Sequence, residues 1–176
     1  MPTIGVAVAV PEPYATELQT HRARFGDPQA KAIPSHITLV PPTRVGTDLE
    51  PVCDHLAGVA DKHRAFRLRL RGTATFRPIS PVVFVNVTEG ISACEMLAHD
   101  VRQGPLGQQL AFPYHPHVTV AHDVEDEALD EAYDALSDYD CSFTVEGFSL
   151  YVHGYDGVWR PLATFALPYD TDPLDV

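Results

Sequence analysis

At 176 residues and 45% hydrophobic, the chain is long enough to bury one core, and its formal net charge of −12 makes it a poor binder of long phosphate backbones. No apolar run approaches ~18 residues, which argues against a membrane span, and Met1-Pro2-Thr3-Ile4 lacks the basic region of a secretory signal, so a cytoplasmic protein is expected. The charge is uneven: residues 1–88 carry ten Lys/Arg against seven Asp/Glu, a net of +3, and residues 89–176 carry two against seventeen, a net of −15. A nucleotide ligand should therefore be short, or meet mainly the N-terminal half. Three cysteines, Cys53, Cys94 and Cys141, with no close pairing, read as buried reduced thiols.

In chain order, Thr3 to Val10 is a short apolar strand closed by Pro11-Glu12-Pro13. Tyr14, Leu18 and Phe25 recur near helical spacing, and Gly26-Asp27-Pro28 stops that helix. A strand follows from about Ile33 to Val40, ended by Pro41-Pro42, then a helix marked by Leu49, Val52, Leu56 and Val59 with Thr47 or Asp48 as N-cap. Phe66 to Arg71 alternates strictly, as a half-buried strand does; residues 82–87 form its partner across the Arg77–Pro81 turn.

The second part repeats the plan. A helix is predicted from Ser92 to about Gln103, with Cys94, Leu97, Ala98 and Val101 on one side, then a strand near Pro116–Ala121. Glu125–Leu136 reads as a helix with Leu129, Ala132, Tyr133 and Leu136 inside, and its acidic first turn suits the helix dipole. Strands at Phe143–Val152 and Trp159–Leu167 flank the Gly154–Gly157 turn, and a mobile tail is expected from Tyr169. The class is α+β: one domain over 1–168 with approximate repeat halves 1–88 and 89–168, two antiparallel sheets flanked by helices, and a central cleft.

His36-Ile37-Thr38 and His117-Val118-Thr119 are the same device twice, 81 residues apart. Successive strand side chains point to opposite faces, so each histidine shares a face with its threonine while Ile37, Leu39, Val118 and Val120 turn to the core. Two imidazoles and two hydroxyls meet the requirement for in-line transfer at a phosphodiester: one imidazole takes a proton, the other gives one, and the hydroxyls hold non-bridging oxygens.

The segments Ile33-Pro34-Ser35-His36-Ile37-Thr38-Leu39-Val40 and Phe112-Pro113-Tyr114-His115-Pro116-His117-Val118-Thr119-Val120-Ala121 resemble the signatures of the two-histidine phosphoesterase superfamily, closest to its bacterial 2'-5' RNA ligase-like branch. The resemblance spans nearly the whole chain. It implies a bilobal fold acting on 2',3'-cyclic phosphates or 2'-5' linkages of short RNA or nucleotides, without metal, ATP or other cofactor. It makes His36 and His117 the acid–base pair, in an order the residues leave open, and Thr38 and Thr119 the phosphate ligands. Separately, a monomer is expected, although the sequence does not determine the oligomeric state.

One departure stands out: many relatives continue the second motif with Ala-Arg, where Ala121 here is followed by His122. An imidazole then stands where a permanent guanidinium would pair with phosphate. Arg77 is a candidate substitute, Arg44 a weaker one, and Tyr114 the best candidate for base stacking. Arg67, Arg69 and Arg71 read as a solvated outer face. Two alternatives remain. One is a nucleotide-binding module without turnover. The other is a metalloprotein built on His115 and His117, completed by His122 or His153.

Overall fold

The computed structural model describes residues 1–170. The elements run β1 (Thr3–Ala9), α1 (Tyr14–Arg24), β2 (His36–Arg44), α2 (Glu50–Lys62), β3 (Phe66–Thr75), β4 (Val82–Glu89) and α3 (Ile91–Val101), and then β5 (His117–His122), α4 (Asp126–Ala135), β6 (Asp140–Val145), β7 (Gly147–His153) and β8 (Trp159–Ala166). The strands make two antiparallel sheets of four, ordered β2-β1-β7-β8 and β5-β4-β3-β6, with the four α-helices around them. The class is α+β. Each sheet has a His-Thr strand at one edge, beside the strand that precedes it by one helix.

The lobes do not coincide with residues 1–88 and 89–168. The first sheet joins β1 and β2 to β7 and β8 from the other end of the chain, whereas the second is built wholly from residues 66–145. The cause is local. The short connection after Thr75 makes β3 and β4 an antiparallel hairpin, so β3 lies beside β4 and the free side of β1 is filled by β7. The repeat is therefore β1-α1-β2-α2 followed by β4-α3-β5-α4. The helices also cross over: α1 packs against β5 and α3 against β2, which clamps the two edge strands together.

Two strand boundaries differ from those expected. The strand expected over Phe143–Val152 breaks at Glu146 into β6 and β7, which belong to different sheets. Gly147 allows the crossing, because a Cβ there would stand 2.7 Å from the Phe165 carbonyl oxygen. In the other direction, β2 continues through Pro41 and Pro42 to Arg44 instead of stopping. It is an edge strand, and its missing N–H groups leave no partner unsatisfied.

The core-facing expectations hold on both motif strands: Ile37, Leu39, Val118 and Val120 are all 0% exposed, and His36, Thr38, His117 and Thr119 are half-buried on the opposite faces. Leu129, Ala132 and Leu136 form the buried stripe of α4, but Tyr133 points outward at 39% exposure, because it lies about 100° around the helix from Ala132. All three cysteines are free, and burial pushes the Cys94 thiol up to about 12, an inert packing group. Among the described residues no helix is long and apolar enough to cross a membrane. Most of the expected mobile tail lies outside the described residues, and Tyr169 within them donates its hydroxyl to Glu146.

Candidate active site

The register of each sheet decides what lies beneath the motif residues. On β1, Ala9 pairs with His36 and Ala7 with Thr38, and Gly5 follows on the same face. These small residues leave the first floor open. On β4, Asn86 pairs with His117 and Phe84 with Thr119, so the second floor is filled by rings. Phe84 and Phe76 stand 4.9 and 5.1 Å from the His117 ring, the latter edge-on at 89°.

Both imidazoles are held in the same way. His36 Nδ1 donates to the Pro34 carbonyl at 2.8 Å, and His117 Nδ1 donates to the His115 carbonyl at 2.6 Å. A carbonyl can only accept, so each ring carries its proton on Nδ1 and presents a free Nε2 to the cleft. Desolvation lowers the His36 pKa to about 4; the charges of Arg22 and His117 push the same way, against the Pro34 carbonyl. His117 is lowered too, first by desolvation and then by His115, against the pull of its own backbone hydrogen bond.

The cleft has two compartments that share Thr38. The first, of about 520 Å³, is lined by His36, Thr119, His122, Arg22, Tyr151 and Trp159 among others. The second, of about 400 Å³, is lined by His117, Phe76, Phe112, Tyr114 and Arg102. The threonine of each motif thus stands in the compartment of the other motif's histidine. Two bonds fasten the lobes around it: Tyr114 donates its hydroxyl to the Thr38 carbonyl at 2.8 Å, and the His122 amide donates to Asp27 at 3.0 Å.

The sequence profile described as the 2'-5' RNA ligase superfamily matches residues 10–157 of this arrangement. The chain belongs to that superfamily. Among its relatives, a protein of Oceanobacillus iheyensis with the provisional name of phosphoesterase is 25% identical over 147 residues, 83% of this chain and 81% of that protein. One of Bacillus cytotoxicus with the same provisional name is 27% identical over 149 residues, covering 83% and 86%. An RNA 2',3'-cyclic phosphodiesterase of Geobacillus stearothermophilus is 28% identical over 159 residues, 79% of this chain but 49% of that protein. The fold matches the crystal structure of TT0787 of Thermus thermophilus, with a TM-score of 0.70, 23% identity and coverage of 96% and 100%. It also matches E. coli LigT complexed with 3'-AMP, at 0.64, 23%, and 96% and 99%.

Within this superfamily member, the arginine of the first compartment is one that the two motifs do not point to. Arg22 is 5% exposed on α1, and its Nε donates to Asp27 Oδ2 at 2.8 Å. Asp27 is fully engaged: it also accepts from the amides of Gln29 and His122. The remaining face of the Arg22 guanidinium lines the compartment of His36 and Thr119. The helical periodicity of α1 did carry a signal, because Arg22 falls four residues after Leu18 and three before Phe25, on the buried side of the helix. A second signal was Asp27 five residues on, ahead of Pro28, where it caps a short 3₁₀ turn.

Arg77 is corrected. It lines neither compartment, and its Nη1 donates to Asp130 at 2.8 Å on the outer side of the second sheet. Arg44 lies beyond the cleft as well, whereas Arg69 pairs with Asp140 on the outer face, as the stripe reading expects. Tyr114 does line the second compartment, but its hydroxyl is committed to Thr38 and burial pushes its pKa upward. His122 lines the first compartment, 3.3 Å from Asp123. The metal alternative loses its third ligand: His122 stands at the far end of β5 from His115, in the other compartment, and His153 lies against Trp159 with ring centroids 4.7 Å apart. Among the described residues no three His, Cys, Asp or Glu side chains gather to hold an ion.

Proposed function

We propose that the chain hydrolyses 2',3'-cyclic phosphates or 2'-5' linkages of short RNA or nucleotides, and joins them in reverse, with side chains alone. The observation that carries this reading is the pair of Nδ1-anchored imidazoles whose free Nε2 atoms share one cleft with two threonine hydroxyls. His36 is the base. Beside Arg22 and largely desolvated it stays neutral, so its Nε2 takes the proton of the attacking water. His117, further from that guanidinium, is the acid: its Nε2–H protonates the departing ribose oxygen as the P–O bond breaks, while Nδ1–H stays on His115. Thr38, Thr119 and Arg22 hold the non-bridging oxygens, where charge builds up in the transition state. Ligation opens the cyclic phosphate by the same steps with a ribose hydroxyl in place of water: its oxygen forms the new P–O bond, its proton passes to the base, and the ribose oxygen of the ring leaves with the proton of the acid. The name of the Geobacillus relative and the 3'-AMP bound to LigT support a nucleotide substrate.

The test is turnover of a 2',3'-cyclic nucleotide before and after exhaustive dialysis against a chelator. Undiminished turnover is expected, because proton transfer and charge stabilisation come from residues of the chain. Activity lost on chelation and restored by zinc or iron would overturn the reading, and tight binding with no turnover would favour the binding module.

The pH dependence follows from the two depressed imidazoles. The base must be neutral, which holds for His36 above about pH 4, and the acid must be protonated, a state His117 loses as pH rises through a pKa that desolvation holds below the ordinary imidazole value of about 6.5. The profile of kcat/KM, which reports the free enzyme, is therefore expected to be a bell with its maximum below pH 6.5. A bound phosphate anion raises both imidazoles, so the kcat profile is displaced to higher pH. A kcat/KM maximum above pH 7 would contradict the assignment.

A further inference from the structure

The pseudo-two-fold that relates His36 to His117 also relates two arginines. Arg22 precedes His36 by 14 residues and Arg102 precedes His117 by 15. Arg22 is in the last turn of α1, and Arg102 is the residue that closes α3. Each helix crosses to the opposite sheet, so each compartment receives one guanidinium.

Their surroundings differ. Arg22 is matched by Asp27, whereas Arg102 forms no ion pair among the described residues. Its guanidinium lies 5.1 Å over the Tyr114 ring, with Nη1 buried and without a hydrogen-bond partner. Residues 89–176 contain one other basic residue, Arg160, and that one is bound to Asp156 at 2.7 Å. The half of the chain with a net charge of −15 thus keeps its one unmatched guanidinium at the cleft. Among the described residues no carboxylate lines the second compartment, nor the depression that continues it outward past Gln103, Gln108 and Phe112. Glu95 and Asp100 flank Arg102 only on the α3 side, outside ion-pairing distance. An unpaired, partly desolvated charge is costly, and an incoming anion would recover that cost. A guanidinium lying on an aromatic face still offers its edge to a phosphate. At the mouth, Phe112 and Ile79 are 66% and 78% exposed, which provides apolar surface for a base.

We propose that Arg102 marks a subsite for a second phosphate, the phosphodiester neighbouring the one that reacts, so that the preferred substrate is the end of an RNA oligonucleotide rather than a mononucleotide. The inference rests on the phosphodiesterase reading above. Arg22 serves the reacting phosphate and Arg102 the next one along the strand, which passes out by Phe112.

The experiment measures kcat/KM for adenosine 2',3'-cyclic phosphate, its 5'-phosphorylated form and the dinucleotide ApA 2',3'-cyclic phosphate, with the intact chain and with Arg102→Gln and Arg102→Lys. One charge-assisted contact should make the intact chain prefer the substrates with a second phosphate by roughly 10-fold or more. That ratio should collapse towards one in Arg102→Gln and partly return in Arg102→Lys. A ratio near one in the intact chain overturns the subsite even if the variants fail to fold, and so does an undiminished ratio in a folded Arg102→Gln. No turnover of any of the three by the intact chain overturns the phosphodiesterase reading itself and the subsite with it.

Discussion

Replacing His36 or His117 with alanine is expected to lower kcat on a 2',3'-cyclic nucleotide by about 100- to 10,000-fold, the usual contribution of a positioned acid or base. The same changes should leave the melting temperature almost unmoved. Neither imidazole carries the packing of its strand, which rests on Ile37 and Leu39 in one sheet and Val118 and Val120 in the other. His36→Ala also removes a group that resists protonation when folded. Its depressed pKa means that the unfolded chain takes up a proton below about pH 6.5 while the folded chain takes it up only near about pH 4. Stability therefore falls as pH drops through that window, and the variant should lose part of the slope. Steady-state kinetics with thermal melts from pH 4 to 8 check both statements. A steep fall in melting temperature at neutral pH, with activity lost in proportion, would make these histidines structural.

Asp27→Asn is expected to destabilise the fold by about 3–5 kcal/mol, the loss seen when one partner of a buried ion pair is removed. The pair qualifies, since the Arg22 and Asp27 side chains are 5% and 0% exposed. The carboxylate also accepts the His122 amide, so its loss loosens the bond between the first lobe and the end of β5. Replacing both members together, as Arg22→Met with Asp27→Leu, should restore much of that stability, because well-packed apolar groups often match a buried pair. It should not restore turnover. Arg22→Gln alone is expected to lower kcat/KM by about 100-fold, in the range of a lost transition-state donor, and to move the acid limb of the pH profile upward as His36 loses a neighbouring positive charge. Arg22→Lys should recover the limb but only part of the rate, since an ammonium cannot hold Asp27 and a phosphate in the same fork. Urea unfolding and pH–rate profiles of the four proteins separate the structural role from the chemical one. A double variant that regains full activity with its stability would refute the phosphate role of Arg22.

The local features of this protein were readable in its sequence because they are governed by local periodicity. Alternation with a period of two put His36 with Thr38 and His117 with Thr119 on faces opposite Ile37 and Val118, whatever the strands later paired with. The helical stripes of Cys94, Leu97, Ala98 and Val101, and of Leu129 and Ala132, were legible for the same reason. What the periodicity could not hold is partnership between distant segments. The alternation changes phase at Glu146-Gly147, from Cys141, Phe143 and Val145 to Phe148, Leu150 and Val152, but it does not say that the two runs serve different sheets, because the hydrogen bonds that divide them come from β3 on one side and from β1 and β8 on the other.

The cations show the same division. An arginine at position 22 falls on the Leu18 and Phe25 stripe of its helix, with nothing in the sequence to say what covers it, and one at 77 beside a strand end near the motifs looks available. Tertiary structure decided both: the arrival of β5 against α1 covered Arg22 over Asp27 at the histidines, and Asp130 of α4 drew Arg77 to the outer surface. The carboxylate that matches Arg22 is local, five residues on, but the one that takes Arg77 lies 53 residues away, and the His122 amide that completes Asp27 lies 95 residues away, so neither of these two partners could be read from spacing along the chain.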